Sequence, residues 1–361
     1  MNSHNEQEQD LIDYFQTFAC GFRRAQMAAG SHDYFLALGA YTICLRFAGT
    51  ALIPQITPAL AHLKIDPVAT PDLTICLWDS VSTNTPLPLL ASSLIELVSS
   101  NFWRLLDTRM EIKGYNSDRF FSIFNVGSHL LSVLDTQENI ALYWTEDAQA
   151  LPYWDRGSPL RGIINWWMSQ KNLQFVHAGA VGTKQGAVLL AGKGGSGKSS
   201  TALSCLNSDL LYASDDYCLV GTDPKPIVYS LYNTAKLKGK EDLARFPHLA
   251  PLFNNLDRLD EEKAMIFVRE HFPEKIINQL PLKAVLVPRV TGKPDTKVSP
   301  TSAMVALKAL APSTIFQLPK TGQSAFARMS SLVRQVPAYY LELGTDIPQI
   351  SHTIAQLLSE L

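Results

Sequence analysis

Apolar and polar residues alternate along several short stretches of the first 150 residues, a pattern typical of half-buried β-strands. Residues 41–47 and 73–77 show the alternation most clearly. Three apolar runs, at residues 120–126, 130–134 and 140–144, are separated by short polar turns and predict an antiparallel meander. Longer apolar stretches predict helices at residues 10–29 and 89–106. We therefore expect residues 1–150 to form a smaller α+β domain with antiparallel strands.

The pattern changes after residues 146–158, which lack a long apolar run and are interpreted as a linker. Ser158 is a candidate N-cap with Pro159 at the first helical position, so a helix is predicted to lead into a second domain at residues 158–361. Apolar runs at 173–181, 187–191, 210–213, 217–220, 284–287 and 339–343 predict strands, and periodic stretches near 302–310, 322–333 and 350–361 predict helices. Residues 239–274 are interpreted as a helical insertion or lid. The sequence thus predicts a two-domain α/β (α+β) protein.

A glycine-rich motif follows the predicted strand at 187–191. Residues 192–199 fit the pattern G-x-x-x-x-G-K-[ST], and an apolar helical stretch continues after them. Glycines allow the backbone N–H groups to point at phosphate oxygens, while a lysine reaches the β/γ-phosphates and a serine hydroxyl binds Mg²⁺. The residues predicted to bind nucleotide are Gly192, Gly194, Gly195, Ser196, Gly197, Lys198, Ser199 and Ser200.

Two adjacent carboxylates and a histidine flank this motif in the sequence. Asp215 and Asp216 come at the end of the predicted strand at 210–213, and His177 lies within the predicted strand at 173–181. One carboxylate can hold Mg²⁺ and the second can accept the proton of an attacking hydroxyl. The alternatives are a surface turn for the aspartates and a structural core position for the histidine. The nearby phosphate motif favours the catalytic interpretation.

The order and spacing of these groups resemble the HPr kinase/phosphorylase family, whose core shares a fold with ATP-dependent phosphoenolpyruvate carboxykinase. His177 precedes Lys198 by 21 positions, and Asp215 follows Lys198 by 17. The resemblance implies a P-loop core with a mixed sheet, ATP and Mg²⁺ as cofactors, and a homo-oligomer. It also implies that His177, Lys198, Asp215 and Asp216 form the catalytic site. Ser199 and Asp216 are taken as the metal ligands, although the sequence leaves open which aspartate is the base.

The chain also departs from that family. Ser200 stands where HPr kinases carry a glutamate, and no Arg-Gly-Leu-Gly stretch is present, so neither phosphorolysis nor HPr as substrate is implied. Arg289, after the predicted strand at 284–287, is predicted to stabilise the transferred phosphoryl group, with a structural ion pair as the alternative. Lys236 is interpreted as an exposed lysine, with a contact to substrate or phosphate as the alternative.

Composition limits the classes of partner and compartment. With 46% hydrophobic and 18% charged residues, the 361-residue chain has the composition of a soluble globular protein. A net charge of −2 gives no reason to expect binding to nucleic acid or to an anionic membrane. The five cysteines are scattered and lack CxxC spacing, and no apolar stretch reaches about 18 residues. These features favour a cytoplasmic protein.

The functional prediction is an ATP-dependent kinase that transfers the γ-phosphoryl group to a hydroxyl group. The acceptor is a peptide, a protein or a small molecule, and the first domain is expected to help present it. Two alternatives remain: a nucleotide-binding regulatory or scaffold protein that transfers nothing, and a simple ATPase that uses water as the acceptor.

Overall fold

A computed structural model of the chain describes residues 2–88, 104–253, 255–319 and 322–361, without the side chains of residues 2–6. The chain is mixed α/β and divides into two compact units. The first unit comprises Met1–Pro58, Lys64–Trp167 and Leu318–Lys320, and the second comprises Ala59–Leu63, Met168–Gln317 and Thr321–Leu361. The division at residues 167/168 lies beyond the linker predicted at 146–158. Most of the helix predicted at 89–106 lies outside the described residues.

The first unit contains one six-stranded sheet, in the order β1-β2-β3-β6-β5-β4. Its strands are β1 (Ser31–Leu38), β2 (Tyr41–Ala48), β3 (Leu73–Asp79), β4 (Phe120–Asn125), β5 (Leu130–Asp135) and β6 (Ile140–Thr145). The helices of this part of the chain are α1 (Asn2–Ala29), α2 (Ile53–Leu60), α3 (Ser80–Thr83), α4 (Tyr153–Arg156) and α5 (Arg161–Ser169).

The sheet of the first unit is mixed, so the prediction of antiparallel strands is only partly confirmed. The meander β4-β5-β6 is antiparallel as predicted, but β3 pairs in parallel with both β2 and β6. The chain passes through α2 between β2 and β3, and such a crossover returns a strand in parallel. On one face the sheet is covered by α1, whose residues Leu11, Phe15, Phe18 and Phe22 share its core.

The second unit contains a nine-stranded sheet and a separate antiparallel pair. Its strands are β7 (Gln174–Val176), β8 (Ala178–Thr183), β9 (Gly186–Ala191), β10 (Leu211–Ser214), β11 (Cys218–Gly221), β12 (Ile227–Ser230), β13 (Thr234–Leu237), β14 (Ala264–Phe267), β15 (Gln279–Val290), β16 (Lys297–Thr301) and β17 (Ala338–Leu343). Its helices are α6 (Lys198–Ser204), α7 (Gly239–Ala244), α8 (Val268–His271), α9 (Ala303–Gln317), α10 (Gln323–Gln335) and α11 (Ile347–Glu360).

The long strand β15 organises this sheet. Its first residues pair antiparallel with β12, and its later residues pair in parallel with both β9 and β17. The strand order is β10-β8-β9-β15-β12-β11-β7, with β17 beside β15 and β16 beside β17, while β13 pairs with β14. Successive β9 residues serve the two faces of the sheet: Leu190 shares a core with α6 and α11, and Leu189 shares one with α9 and α10.

The single strand predicted at residues 173–181 is interrupted at His177, so this prediction is wrong. β7 pairs with β11, whereas β8 pairs with β9 and β10. The backbone N–H of His177 donates to Thr314 Oγ1 at 3.1 Å instead of joining a strand ladder. The predicted helical insertion at 239–274 likewise contains the strand β14. Among the described residues, no helix is both long enough and apolar enough to cross a lipid bilayer.

Candidate functional site

The glycine-rich loop at residues 192–199 lies between a strand and a helix, as predicted. β9 is buried along its whole length, and α6 begins inside the motif at Lys198. Gly195 and Gly197 have φ angles of 78° and 101°, which side chains of other residues disfavour. A Cβ atom at Gly197 would also overlap the side chain of Leu343. The path of the loop therefore depends on glycine at Gly197.

Lys198 is folded back over the loop. Its Nζ donates to the carbonyl oxygen of Gly192 at 2.7 Å and to that of Lys193 at 3.3 Å. Burial lowers the pKa of Lys198, and the charges of Asp216 and Asp215 act in the opposite direction. Neutral carbonyls compensate a buried cation poorly, so an anionic group at this point would stabilise the charged lysine.

The loop also holds a buried hydroxyl with no partner. Among the described residues, Ser196 Oγ makes no hydrogen bond. The backbone N–H of Ser196 donates to the Lys193 carbonyl at 3.2 Å and closes the turn. Buried polar atoms are normally paired, and an unpaired one in a glycine-rich turn before a helix fits a site for an anionic ligand.

Asp215 lies at the end of β10 and is buried. Its Oδ2 accepts from the backbone N–H of Lys236 at 2.9 Å, while Oδ1 has no hydrogen-bond partner among the described residues. The close approach of β8 helps to place it, because a Cβ at Gly179 would lie 3.0 Å from the Asp215 carbonyl oxygen. Burial and the charge of Asp216 raise the pKa of Asp215 to about 6, against the hydrogen-bonding influence of Ser199 and of the Lys236 amide.

Asp216 has a different environment, although it is the next residue. Its Oδ1 lies 2.7 Å from His177 Nε2, its Oδ2 lies 3.3 Å from Lys236 Nζ, and 28% of its side chain is exposed. Burial opposes its ionisation, but the Lys236 ammonium and the His177 ring together hold the pKa of Asp216 well below its usual value.

The two aspartates therefore differ in acidity and in access to solvent. Asp216 is ionised and reaches solvent, while Asp215 is enclosed and retains its proton up to a higher pH. Neighbouring carboxylates whose pKa values are driven apart are suited to different chemical roles. The sequence placed the two aspartates together, but their environments become visible only in the structure.

His177 lies beside the carboxylates. Besides Nε2 contacting Asp216, its ring lies 5.0 Å from the Tyr217 ring, tilted by 31°. Tyr217 Oη in turn donates to Gln317 Oε1 at 2.7 Å. Since Asp216 accepts through one oxygen, the Nε2 atom of His177 is the protonated nitrogen when the ring is neutral. This contact and the stacked ring fix the orientation of His177.

Lys236 belongs to the site, and the prediction of an exposed lysine is wrong. Its side chain is 6% exposed, and both its backbone N–H and its Nζ contact the aspartate pair. It lies on β13, which is paired with β14, about 30 residues later in the chain. An aspartate pair that needs a neutralising cation is the signal that would have favoured a buried lysine.

Arg289 makes a different contact from the one predicted. It is exposed near the end of β15, and its Cζ lies 3.4 Å from the centre of the Tyr340 ring. The next residue, Val290, borders Gly197 in the loop. A catalytic role for Arg289 stays a prediction.

The residues present fit a magnesium ion held together with a nucleotide. Within the described parts of the chain, no group of three or more His, Cys, Asp or Glu side chains is arranged to hold a metal ion alone. Mg²⁺ at phosphate-transfer sites needs only one or two protein oxygens, since substrate phosphates and water complete its shell. Asp215 Oδ1, buried without a hydrogen-bond partner, and the nearby Ser199 suit that requirement.

Comparison with known proteins gives limited guidance. No protein-family model matches the chain, and no curated protein matches it. Solved structures do match, and one is the Hpr(Ser) kinase/phosphatase from Coxiella burnetii, at 12% sequence identity and a TM-score of 0.30. That match covers 52% of this chain and 97% of that chain. A similarity at this level does not support a function. The functional proposal therefore rests on the geometry of the site.

Proposed function

We propose that this protein is a Mg²⁺-dependent kinase that transfers the γ-phosphoryl group of ATP to a hydroxyl group in a peptide, protein or small molecule. On this proposal its second unit is a P-loop core of the HPr kinase/phosphoenolpyruvate carboxykinase type. One observation carries the proposal: Asp216, ionised and partly exposed, is held by His177 and Lys236 close enough to the glycine-rich loop to act on the charge of Lys198. Nucleotide binding alone would not require such a carboxylate.

Nucleotide binding is assigned to the loop. The Lys198 ammonium, which now bonds to loop carbonyls, would move to β/γ-phosphate oxygens and gain a charged partner. The Ser196 hydroxyl and the backbone amides at the start of α6 supply further donors. Because Gly197 has no Cβ atom, it avoids a steric clash with Leu343. The loop can therefore keep the conformation that presents these donors to the nucleotide.

The metal is assigned to Ser199 and Asp215. These residues would hold Mg²⁺, which would supply positive charge to neutralise the charge that develops on the phosphate oxygens. The environment of Asp215 supports this choice, because a cation beside its unpartnered Oδ1 would favour the ionised carboxylate that burial now disfavours. This proposal differs from the sequence-based prediction of Asp216 as the metal ligand. Asp216 instead contacts His177 and Lys236. This position suits Asp216 to bind the hydroxyl group of the acceptor.

Proton removal from the acceptor is assigned to Asp216. Its 28% exposed side chain can accept a hydrogen bond from an incoming hydroxyl, while His177 and Lys236 fix its orientation. A carboxylate with a lowered pKa is a weak base. That is compatible with phosphoryl transfer, because the loose transition state requires little proton transfer early in the reaction. Positioning and charge neutralisation would supply most of the rate enhancement.

The test is transfer of label from γ-labelled ATP in the presence of Mg²⁺. The purified protein is incubated with a cell extract, which is then separated into protein, peptide and metabolite fractions. Label in one fraction, lost with both Lys198→Ala and Asp216→Asn, supports the kinase and identifies the class of its acceptor. Release of phosphate without labelled acceptor would favour the ATPase. ATP binding with neither product would favour the regulatory protein, and either result overturns the proposal.

A further inference from the structure

A short segment from the first part of the chain is built into the second unit. Ala59–Leu63 belongs to the second unit, although the residues before and after it belong to the first. This inserted segment consists of the end of α2 and a 3₁₀ turn at Ala61–Leu63. Most of it is buried, and His62 is only 6% exposed. A polar histidine buried in a connection requires hydrogen-bond partners there.

Asn233 is the partner on which the inserted segment closes. Its backbone N–H and its side-chain Nδ2 both donate to the carbonyl oxygen of Ala59 at 2.9 Å. Nδ2 also lies 3.4 Å from His62 Nδ1, and His62 Nε2 lies 2.8 Å from Ser230 Oγ. Because the amide of Asn233 donates to Nδ1, the proton of the neutral ring is on Nε2 and is donated to Ser230. These contacts fix the chain on both sides of residues 231–232.

Asn233 immediately precedes β13, the strand that carries Lys236. Its carbonyl accepts from the Val268 N–H at 2.8 Å, and its Oδ1 accepts from the Arg269 N–H at 3.3 Å. Asn233 therefore ties the inserted segment to one end of the β13–β14 pair, where β13 begins and β14 ends. Three residues later, Lys236 contacts Asp215 through its amide and Asp216 through its ammonium. A small shift of β13 would disturb both contacts.

We propose that His62 and the Ala59 carbonyl are positioning groups for Lys236. The inserted segment sets the place of β13, and β13 presents Lys236 to the two carboxylates. The described hydrogen bonds of His62 go to Ser230 and Asn233, so it acts through these residues and is not catalytic. The consequence for activity rests on the proposed function, whereas the consequence for the position of Lys236 does not.

The first readout is the chemical accessibility of two buried lysines in the full-length protein. Lys236 and Lys198 are 6% and 7% exposed, so both should react slowly in reductive methylation followed by mass spectrometry. In His62→Ala and Asn233→Ala, Lys236 should react about tenfold faster or more, which corresponds to local opening that is about 1.4 kcal/mol easier. Lys198 should stay protected. His62→Gln, which retains a hydrogen-bonding side chain, should restore most of the protection of Lys236.

The second readout is the labelled-ATP assay with purified acceptor. The same alanine variants should lower kcat about 10- to 100-fold, the scale of a misplaced catalytic group, and leave KM for ATP within a few fold. The matched control is Asn165→Ala, which removes another buried asparagine, one that donates to the Pro319 carbonyl at 3.0 Å in the first unit. It should leave both lysines protected.

Three results would overturn the inference. In the first, Lys236 and Lys198 become equally reactive in the alanine variants. In the second, the labelling rate of Lys236 does not change in those variants. In the third, the labelling rate of Lys236 rises as much in Asn165→Ala as in the other variants. If the wild-type protein transfers no phosphoryl group, the proposed function fails. The labelling experiment still decides whether the inserted segment positions Lys236.

Discussion

His62 makes the stability of the second unit sensitive to acid. Burial lowers its pKa to about 3, and the charge of Arg269 acts in the same direction, whereas an exposed histidine has a pKa of 6.5. The unfolded chain therefore binds a proton below pH 6.5 that the folded chain does not bind. The contribution of neutral, buried His62 to the free energy of unfolding is fully present above pH 6.5. It is lost progressively as the pH falls toward 3.

The size of the effect follows from the two pKa values. Below pH 6.5 each pH unit costs about 1.4 kcal/mol of folding free energy for one differentially bound proton. Between pH 7.5 and 5.0 the His62 contribution is about 2 kcal/mol in favour of unfolding. Asp215 acts in the opposite sense, because its pKa is raised to about 6 and its protonation below that pH favours the folded state. The pH dependence of the free energy of unfolding of the wild-type protein is therefore smaller than the contribution of His62 alone.

The comparison of wild type with His62→Gln isolates that part. Glutamine can hydrogen-bond to Asn233 and Ser230 but does not titrate. Denaturant unfolding at pH 7.5 and 5.0 should be followed by tryptophan fluorescence and by far-UV circular dichroism. All six tryptophans lie before residue 168, so fluorescence reports the first unit, and the remaining dichroism transition reports the second.

At pH 7.5 the wild-type protein should be more stable than His62→Gln. This difference in the free energy of unfolding should decrease by about 2 kcal/mol when the pH is lowered to 5.0, and only in the transition of the second unit. Parallel pH dependences of the two proteins would refute the reasoning, since they would show that His62 has the same pKa in the folded and unfolded states. A difference confined to the fluorescence transition would contradict the assignment of the inserted segment to the second unit.

Three further predictions concern the site itself. Asp216→Asn should lower phosphoryl transfer by about 10²- to 10⁴-fold while nucleotide affinity, measured by fluorescence titration, stays within a few fold; equal activity would exclude Asp216 as the base. Gly197→Ala should cost about 1–3 kcal/mol, because alanine is strained at a φ of 101° and meets Leu343, and an unchanged thermal transition would contradict this. If Arg289 stabilises the transferred phosphoryl group, Arg289→Ala should lower kcat at least about tenfold; a rate within twofold of wild type would limit Arg289 to its contact with Tyr340.

Features that depend on neighbouring residues were predictable from the sequence. The strand–loop–helix arrangement around residues 192–199 is encoded by an apolar run, a glycine-rich turn and a helical stretch that follow one another. The placement of Asp215 and Asp216 at the end of β10, and the antiparallel meander β4-β5-β6, were predicted for the same reason. In each case the hydrophobic pattern and the turn residues act over fewer than about ten positions.

Features that depend on distant pairing were not predictable. The burial of Lys236 requires β13 to pair with β14 about 30 residues away, and neither strand has a distinctive pattern. The interruption of the predicted strand at His177 reflects a hydrogen bond to Thr314, 137 positions later. The parallel pairing of β3 with β2 depends on the route of the chain through α2. Local propensity carries no information about such contacts, since tertiary packing decides them.

The inserted segment also affects how the chain folds during synthesis. Its partner Asn233 is separated from His62 by 171 positions. At about 5–20 residues per second, roughly 10–30 s pass between translation of the two sites. Throughout that interval Ala59–Leu63 is present without Asn233, and by its end most of the first unit has been made. The ribosome therefore synthesises most of the first unit before the second unit can bury a segment that was translated earlier.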